Sequence, residues 1–145
     1  MTINLDKANI KDLGFIEHLL KENNLPFEDI KTLGKDFFLA YEGSLLVGMI
    51  GLEKFNNIGL LRSFVVKEEY RNKGYGRKIC DSLIQLAKLQ NIRELYLLTT
   101  TAKKFFEIIG FKVIEKTIVP FDIKNTAEFQ GLCPATAVCL KINFW

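Results

Sequence analysis

Ser63-Phe64-Val65-Val66-Lys67-Glu68-Glu69-Tyr70-Arg71-Asn72-Lys73-Gly74-Tyr75-Gly76-Arg77-Lys78-Ile79 reads as the end of an apolar strand, a polar connection, and a glycine-bearing turn that opens a helix. A helix N-terminus offers unpaired backbone N–H groups and the positive end of a dipole. Gly74 and Gly76 leave space for a ligand to approach the backbone. Arg71, Lys73, Arg77 and Lys78 crowd this turn, where each cation is disfavoured by ~0.3–1 kcal/mol. A chain shaped for stability alone would place Asp or Glu there; a multiply charged phosphate docked in the turn makes sense of the choice. The bland alternative is a plain turn with its charges in water, and for Lys73 and Lys78 it serves as well. Two other phosphate patterns do not fit. The Walker turn needs Gly-Lys-Ser/Thr where Gly76-Arg77-Lys78 stands, and the dinucleotide fingerprint needs a third glycine where Ile79 stands.

Outward from this turn the pattern alternates between strands and helices. Toward the N-terminus, Leu60 to Val66 is a strand. Phe37–Tyr41 and Leu45–Leu52 flank Glu42-Gly43-Ser44 as a hairpin. Thr2 to Lys7 is a first strand, and Asn9 with Asp12 resembles a capping box for a helix through about Asn23. Pro26 predicts a second, shorter helix over Phe27 to Leu33. Toward the C-terminus, Ile79, Leu83, Leu86 and Ala87 stripe a helix over Arg77–Gln90. Leu95–Leu98 is a buried strand, and Thr101–Ile109 is a helix closed by Gly110. Phe111–Glu115 and Ala137–Phe144 are the last strands, with a short helix around Asp122 to Phe129 between them. The expected fold class is α/β (α+β): a mixed central sheet of about six to seven strands flanked by about four to five helices.

Composition narrows the function. The 145 residues, 48% hydrophobic and 26% charged, suit one domain with its own core. A net charge of +3, with cations gathered at one turn and no interleaved stacking aromatics, argues against a nucleic-acid partner. Cys80, Cys133 and Cys139 are an odd number without metal spacing, as in reducing compartments. No apolar run approaches the ~20 residues that span a bilayer, and the start lacks a signal-peptide pattern; no membrane and a cytoplasmic location are expected. His18, the single histidine, excludes imidazole-centred triads and multi-histidine metal sites. No metal is expected.

With strand, turn, helix, strand and second helix assembled, the chain resembles the GNAT superfamily of acyl-CoA-dependent N-acetyltransferases. The matching residues are Ser63-Phe64-Val65-Val66, Glu69 to Arg77, and Ala102 to Phe105 leading into Gly110-Phe111. Leu97 to Ala102 and Phe105-Phe106 are similar to the acetyltransferase domain of N-acetylglutamate synthases. Leu61-Arg62-Ser63, Thr126 to Phe129 and Leu132 to Ala135 are similar to small N-acetyltransferases of bacterial arsenic-resistance loci. The resemblance implies one domain over 1–145, acetyl-CoA as cofactor, a small-molecule amine as acceptor, and direct transfer without an acyl-enzyme. It implies a cofactor site of Phe64, Val65, Val66, Arg71, Asn72, Lys73, Gly74, Tyr75, Gly76, Arg77, Lys78, Thr100 and Phe105. The backbone from Lys73 through Lys78 would hold the pyrophosphate, and Phe64 and Val66 would pair with the pantetheine arm. The amide near Phe64 would polarise the thioester carbonyl.

The match departs from the family at two places. The usual glutamate base and tyrosine acid positions are Leu60 and Phe106. Glu53 is the substitute base, with a surface ion pair as its bland role; Tyr96, Thr100 and Cys133 stand open as acids. Strand alternation puts Leu60, Arg62 and Phe64 on one face. An arginine there needs a carboxylate, either a substrate's or that of Glu53 or Glu128. Arg62, Glu128 and Cys133 are the expected acceptor-site residues. A non-catalytic acyl-CoA sensor is the alternative function. A protein acetyltransferase is disfavoured because Pro120 to Pro134 would cover the cleft. Phe144-Trp145 would close the core or a homodimer contact.

Overall fold

A computed structural model describes residues 2–31 and 35–144. Among the described residues, seven strands form one sheet: β1 Asn4–Lys7, β2 Lys35–Glu42, β3 Leu45–Phe55, β4 Ile58–Val66, β5 Glu94–Thr99, β6 Lys112–Ile114 and β7 Val138–Asn143. Their order is β1-β2-β3-β4-β5-β7-β6, and every pairing is antiparallel except β4 with β5. Helices α1 Leu13–Glu22, α2 Tyr75–Leu89, α3 Lys103–Ile109 and α4 Phe121–Lys124 flank it. The parallel pair needs a crossover, which α2 supplies. The mixed sheet with flanking helices agrees with the expected class.

Alternate residues of the strands feed opposite faces. Phe38, Ala40, Leu61, Leu95, Leu97 and Leu140 join Ile79, Leu83 and Phe106 of α2 and α3 in the larger core. The other face is divided. Phe37, Leu39, Met49 and Val65 pack on Ile16, Leu19 and Leu20 of α1. Leu60, Tyr96 and Cys139 pack under Val119 and Ile123.

The local signals hold in several places. Asn9 and Asp12 form the reciprocal capping box, although a 3-10 turn at Ile10–Asp12 precedes α1. Elsewhere tertiary contacts move the boundaries. α2 begins two residues before the expected Arg77. The helix expected after Pro26 is a turn over residues 28–31, with residues 32–34 outside the described residues. This turn is drawn inward by Ile30 in the α1 core and by Asp29 bonded to Arg62. The helix expected around Asp122 to Phe129 divides into α4 and a wide π-type turn, Glu128–Leu132, which bends at Gly131 (φ 128°). Trp145 also lies outside the described residues.

One irregularity shapes everything downstream. Gly51 pairs with Arg62 but Met49 pairs with Val65, so β4 carries one extra residue. Ser63 takes it up at φ 56°, a left-handed conformation that costs a non-glycine residue roughly 1–2 kcal/mol. The bulge reverses the alternation. Phe64 therefore does not share a face with Leu60 and Arg62. It sits with Leu61 and Val66 on the α2–α3 side, with ring centroids 5.7 and 6.0 Å from those of Phe105 and Phe106. Just beyond, β3 and β4 run so close that a Cβ on Gly48 would lie 2.2 Å from the Val65 carbonyl oxygen.

Candidate active site

The parallel pairing of β4 with β5 covers only Ile58–Leu60 against Glu94–Tyr96. Beyond that the strands part, while β5 stays paired with β7 as far as Thr99 and Val138. A groove of about 590 Å³ opens in the gap. Its floor is Phe64, Val65 and Val66; its walls are the Arg71–Arg77 turn and Phe105.

At the head of the groove α2 starts from Gly74 at φ 89°, with no side-chain cap and no acid in its first turn. The first helical N–H groups have no intrahelical acceptor. A Cβ on Gly74 would meet nothing within 4 Å, and one on Gly76 would come 3.4 Å from the Phe105 ring. Bare amides, added cations and open space fit a diphosphate.

The expected cofactor residues divide here. Phe64, Val65, Val66, Arg71, Asn72, Gly74, Gly76, Arg77 and Phe105 line the groove, whereas Lys73, Tyr75, Lys78 and Thr100 do not. Tyr75, expected to contribute its backbone amide, has its ring in the main core and donates its hydroxyl to Glu42. Its place on the apolar stripe with Ile79 (i, i+4) carried that signal. Arg71 turns inward, its Nε donating to the Val66 carbonyl at 3.0 Å and its Nη2 to Asn23 Oδ1 at 2.6 Å. Asn23, Leu25, Tyr70, Thr101 and Ala102 complete the lining. Local sequence pattern does not reveal Asn23 and Leu25, because a distant segment brings them there.

A second, smaller pocket of about 120 Å³ adjoins the groove and shares Leu25, Phe64, Thr101 and Ala102 with it. Arg62, Ser63, Phe106, Glu128 and Cys133 line its inner part. All three expected acceptor-site residues, Arg62, Glu128 and Cys133, thus border one cavity.

Behind that cavity lies a buried ionic cluster, in the divide between the two smaller apolar cores. The Arg62 side chain is 0% exposed. Its Nη1 donates to Asp29 Oδ2 at 2.6 Å and Glu53 Oε2 at 2.9 Å, its Nη2 to Asp29 Oδ1 at 2.7 Å, and its Nε to Ser63 Oγ at 3.1 Å. Lys35 Nζ stands 3.9 Å from Asp29 and 3.8 Å from Glu53. Glu128 is left with a 3.5 Å approach to Arg62 Nε. The bidentate partner of Arg62 is therefore Asp29, an internal residue that strand reading could not supply.

This arrangement pulls the carboxylates apart. Burial alone would raise Asp29, but the bond and charge of Arg62 outweigh it and hold the carboxyl below its usual value. Burial dominates at Glu128. The charges of Glu53 and Asp29 add to it, and the Arg62 charge and a hydrogen bond from Cys133 only partly offset it, leaving Glu128 at about 7. Burial and the same neighbouring carboxylate push the Cys133 thiol to about 12.

Glu53, the expected base, lines neither the groove nor the adjoining pocket. It is 4% exposed and held by Arg62 and Lys35. Among the open acids, Tyr96 gives its hydroxyl to Glu94 at 2.7 Å inside the third core, and Thr100 is exposed and outside both cavities. His18 pairs with Glu22 on the surface of α1. Among the described residues, no group of three or more His, Cys, Asp or Glu could hold a metal ion, and no helix is long and apolar enough to cross a membrane.

Comparison with known proteins gives this geometry a family. The model of the acetyltransferase (GNAT) domain matches residues 34–113. An uncharacterised N-acetyltransferase of Chlorobaculum tepidum is 29% identical over 109 residues, covering 74% of this chain and 68% of that protein. An amino-acid acetyltransferase of Buchnera aphidicola is 26% identical over 133 residues, 86% of this chain but 30% of that protein. The crystal structure of N-acetylglutamate synthase from Neisseria gonorrhoeae, complexed with coenzyme A and L-arginine, superposes with a TM-score of 0.79 at 18% identity. That match covers 98% of this chain and 33% of the synthase. The chain thus spans about a third of the length of these two amino-acid-acetylating relatives. With a family model covering more than half of its residues, the chain belongs to the GNAT family of acetyltransferases.

Proposed function

We propose that this protein moves the acetyl group of acetyl-CoA directly to the amine of a small, carboxylate-bearing metabolite such as an amino acid or an amino-acid analogue. The observation behind this reading is the continuity of two cavities. A groove headed by an uncapped, cation-rich helix start runs along Phe64–Val66 and adjoins a smaller pocket bordered by the Glu128 carboxylate. Acetyl-CoA, when bound, supplies an acetyl group activated as a thioester.

The chain's own residues do the rest. Amides of the 74–77 turn, with Arg71 and Arg77, hold a diphosphate. The free edge of β4 near Phe64 orients an extended arm, and the Phe64 amide faces the carbonyl whose oxygen gains charge. One such donor is worth about 2.7–4 kcal/mol in other enzymes. Leu25, Phe106 and Ala102 exclude water from the junction.

A carboxylate on the acceptor is supported by the amino-acid-acetylating relatives rather than by Arg62, whose donors meet Asp29 and Glu53. The pocket's small size favours a metabolite over a polypeptide. The test is CoA release with purified protein, acetyl-CoA and a panel of amino acids with their phosphorus and arsenic analogues. Turnover restricted to carboxylate-bearing amines is expected. Tight acetyl-CoA binding with no turnover on any amine would instead favour the sensor reading, which the leucine at 60 and phenylalanine at 106 suggest.

A further inference from the structure

Three carboxylates surround Arg62, but they are not equivalent. Asp29 takes the bidentate face of the guanidinium and Glu53 takes the remaining Nη1 bond, with Lys35 beside both. Glu128 has only the long approach to Nε, which is already donated to Ser63. With two cations among three carboxylates, Glu128 is the one whose ion pair with Arg62, at 3.5 Å, is not also a hydrogen bond. It is also the only one of the three that borders the inner pocket. The π-type turn holds it in place: the Cys133 amide donates to the Glu128 carbonyl at 3.2 Å, and the Leu132 amide to that of Ala127 at 3.0 Å. Cys133, bordering the same pocket, donates its thiol proton to the Glu128 carboxylate.

We infer that Glu128 is the proton acceptor of the reaction, taking over the task that a strand glutamate performs elsewhere and that Leu60 cannot perform here. The inference rests on the acetyl-transfer reading. As the amine nitrogen bonds to the thioester carbonyl carbon, the carbon–sulfur bond breaks and sulfur leaves as a thiolate. The proton shed by nitrogen ends on Glu128, which returns it to water, and the thiolate takes one proton from water. Glu128 can serve near neutrality because of the burial and the charges that act on it. Burial opposes its ionised form most; Arg62 on β4 favours that form, Glu53 on β3 and Asp29 before β2 repel it, and Cys133 on its own turn donates to it. A carboxylate that titrates near the working pH is the efficient kind of base.

Two measurements test this. In the apoprotein with side-chain ¹³C-labelled glutamate, the carboxyl resonance missing from Glu128→Gln is followed from pH 4 to 9. A midpoint near 7 is expected; a midpoint at the ordinary glutamate value overturns the inference whatever the acceptor. In CoA-release assays with the amino-acid panel, Glu128→Gln is expected to lower kcat by roughly 10²–10⁴-fold. It should also abolish the rise of kcat/KM with pH through about 7, while Glu128→Asp recovers part of the rate. Calorimetric affinity for acetyl-CoA should stay within about twofold in both variants, as expected of a residue outside the groove. A Glu128→Gln enzyme with wild-type kcat and pH profile refutes the role of Glu128 and leaves acetyl transfer standing. Wild-type protein that binds no acetyl-CoA refutes the acetyl-transfer reading itself.

Discussion

Replacing Glu128 with Gln should stabilise the protein in alkali and leave it nearly unchanged in mild acid. The side chain is 4% exposed, and its carboxyl moves from 4.5 to about 7 on folding. A group whose folded pKa is raised contributes stability that is full below the unfolded value and is lost as pH climbs through the folded one. At about 1.4 kcal/mol per pH unit, the ionised fold is penalised by about 3 kcal/mol above pH 8. Gln copies the neutral acid in shape and avoids that cost. Asp29 has the opposite sign: its lowered pKa contributes stability that fades as pH falls below the ordinary carboxylate range. Wild-type stability should therefore peak between about 4.5 and 7 and decline on both sides. The assay is urea unfolding of both proteins at pH 5 and pH 8.5. We expect near-equal midpoints at pH 5 and a variant more stable by about 3 kcal/mol at pH 8.5, about 10 °C in Tm for a chain of this size. If both proteins lose the same stability between the two pH values, Glu128 does not carry a buried charge and the reasoning fails.

Other expectations follow from the packing. Gly48→Ala drives a Cβ against the Val65 backbone at 2.2 Å, which no rotamer change can relieve; a loss of about 1–3 kcal/mol is expected by urea unfolding, and an unchanged midpoint would mean the strands are not so close. Arg62→Ala strips the buried acids of their main cation and should cost about 3–5 kcal/mol, against the alternative that it only raises the acceptor KM. Gly74→Ala places a side chain at φ 89°, and calorimetry should find weakened acetyl-CoA binding. Tyr75→Phe should leave that affinity unchanged while losing about 1 kcal/mol of stability from the Glu42 bond.

The sequence was most informative where local chemistry decides structure. The capping box at Asn9, the hairpin around Gly43 and the glycine turn that opens α2 at Gly74 are each encoded by a few adjacent residues. It misled where distant partners decide. Nothing adjacent to Ser63 announces an extra residue in β4, because the bulge is a mismatch between two strands and exists only in their pairing. Strict alternation therefore put Phe64 on the wrong face. Arg62 was recognisable as needing a carboxylate, yet its chosen partner came from the segment after Pro26, read as a helix. Glu53 and Glu128 were both read as possible partners of Arg62. The structure separates them: Glu53 accepts from Arg62 Nη1 and stands near Lys35, whereas Glu128 borders the inner pocket with a 3.5 Å approach to Arg62 Nε.

The gap between β4 and β5 has a consequence beyond catalysis. Beyond Leu60, the side of β4 that faces away from β3 meets no neighbouring strand among the described residues, so the molecule keeps a seam that invites an extended backbone. A slender ligand lying in that seam would zip the halves together. The empty protein should then be the form more prone to strand exchange and precipitation, and storage with coenzyme A should protect it.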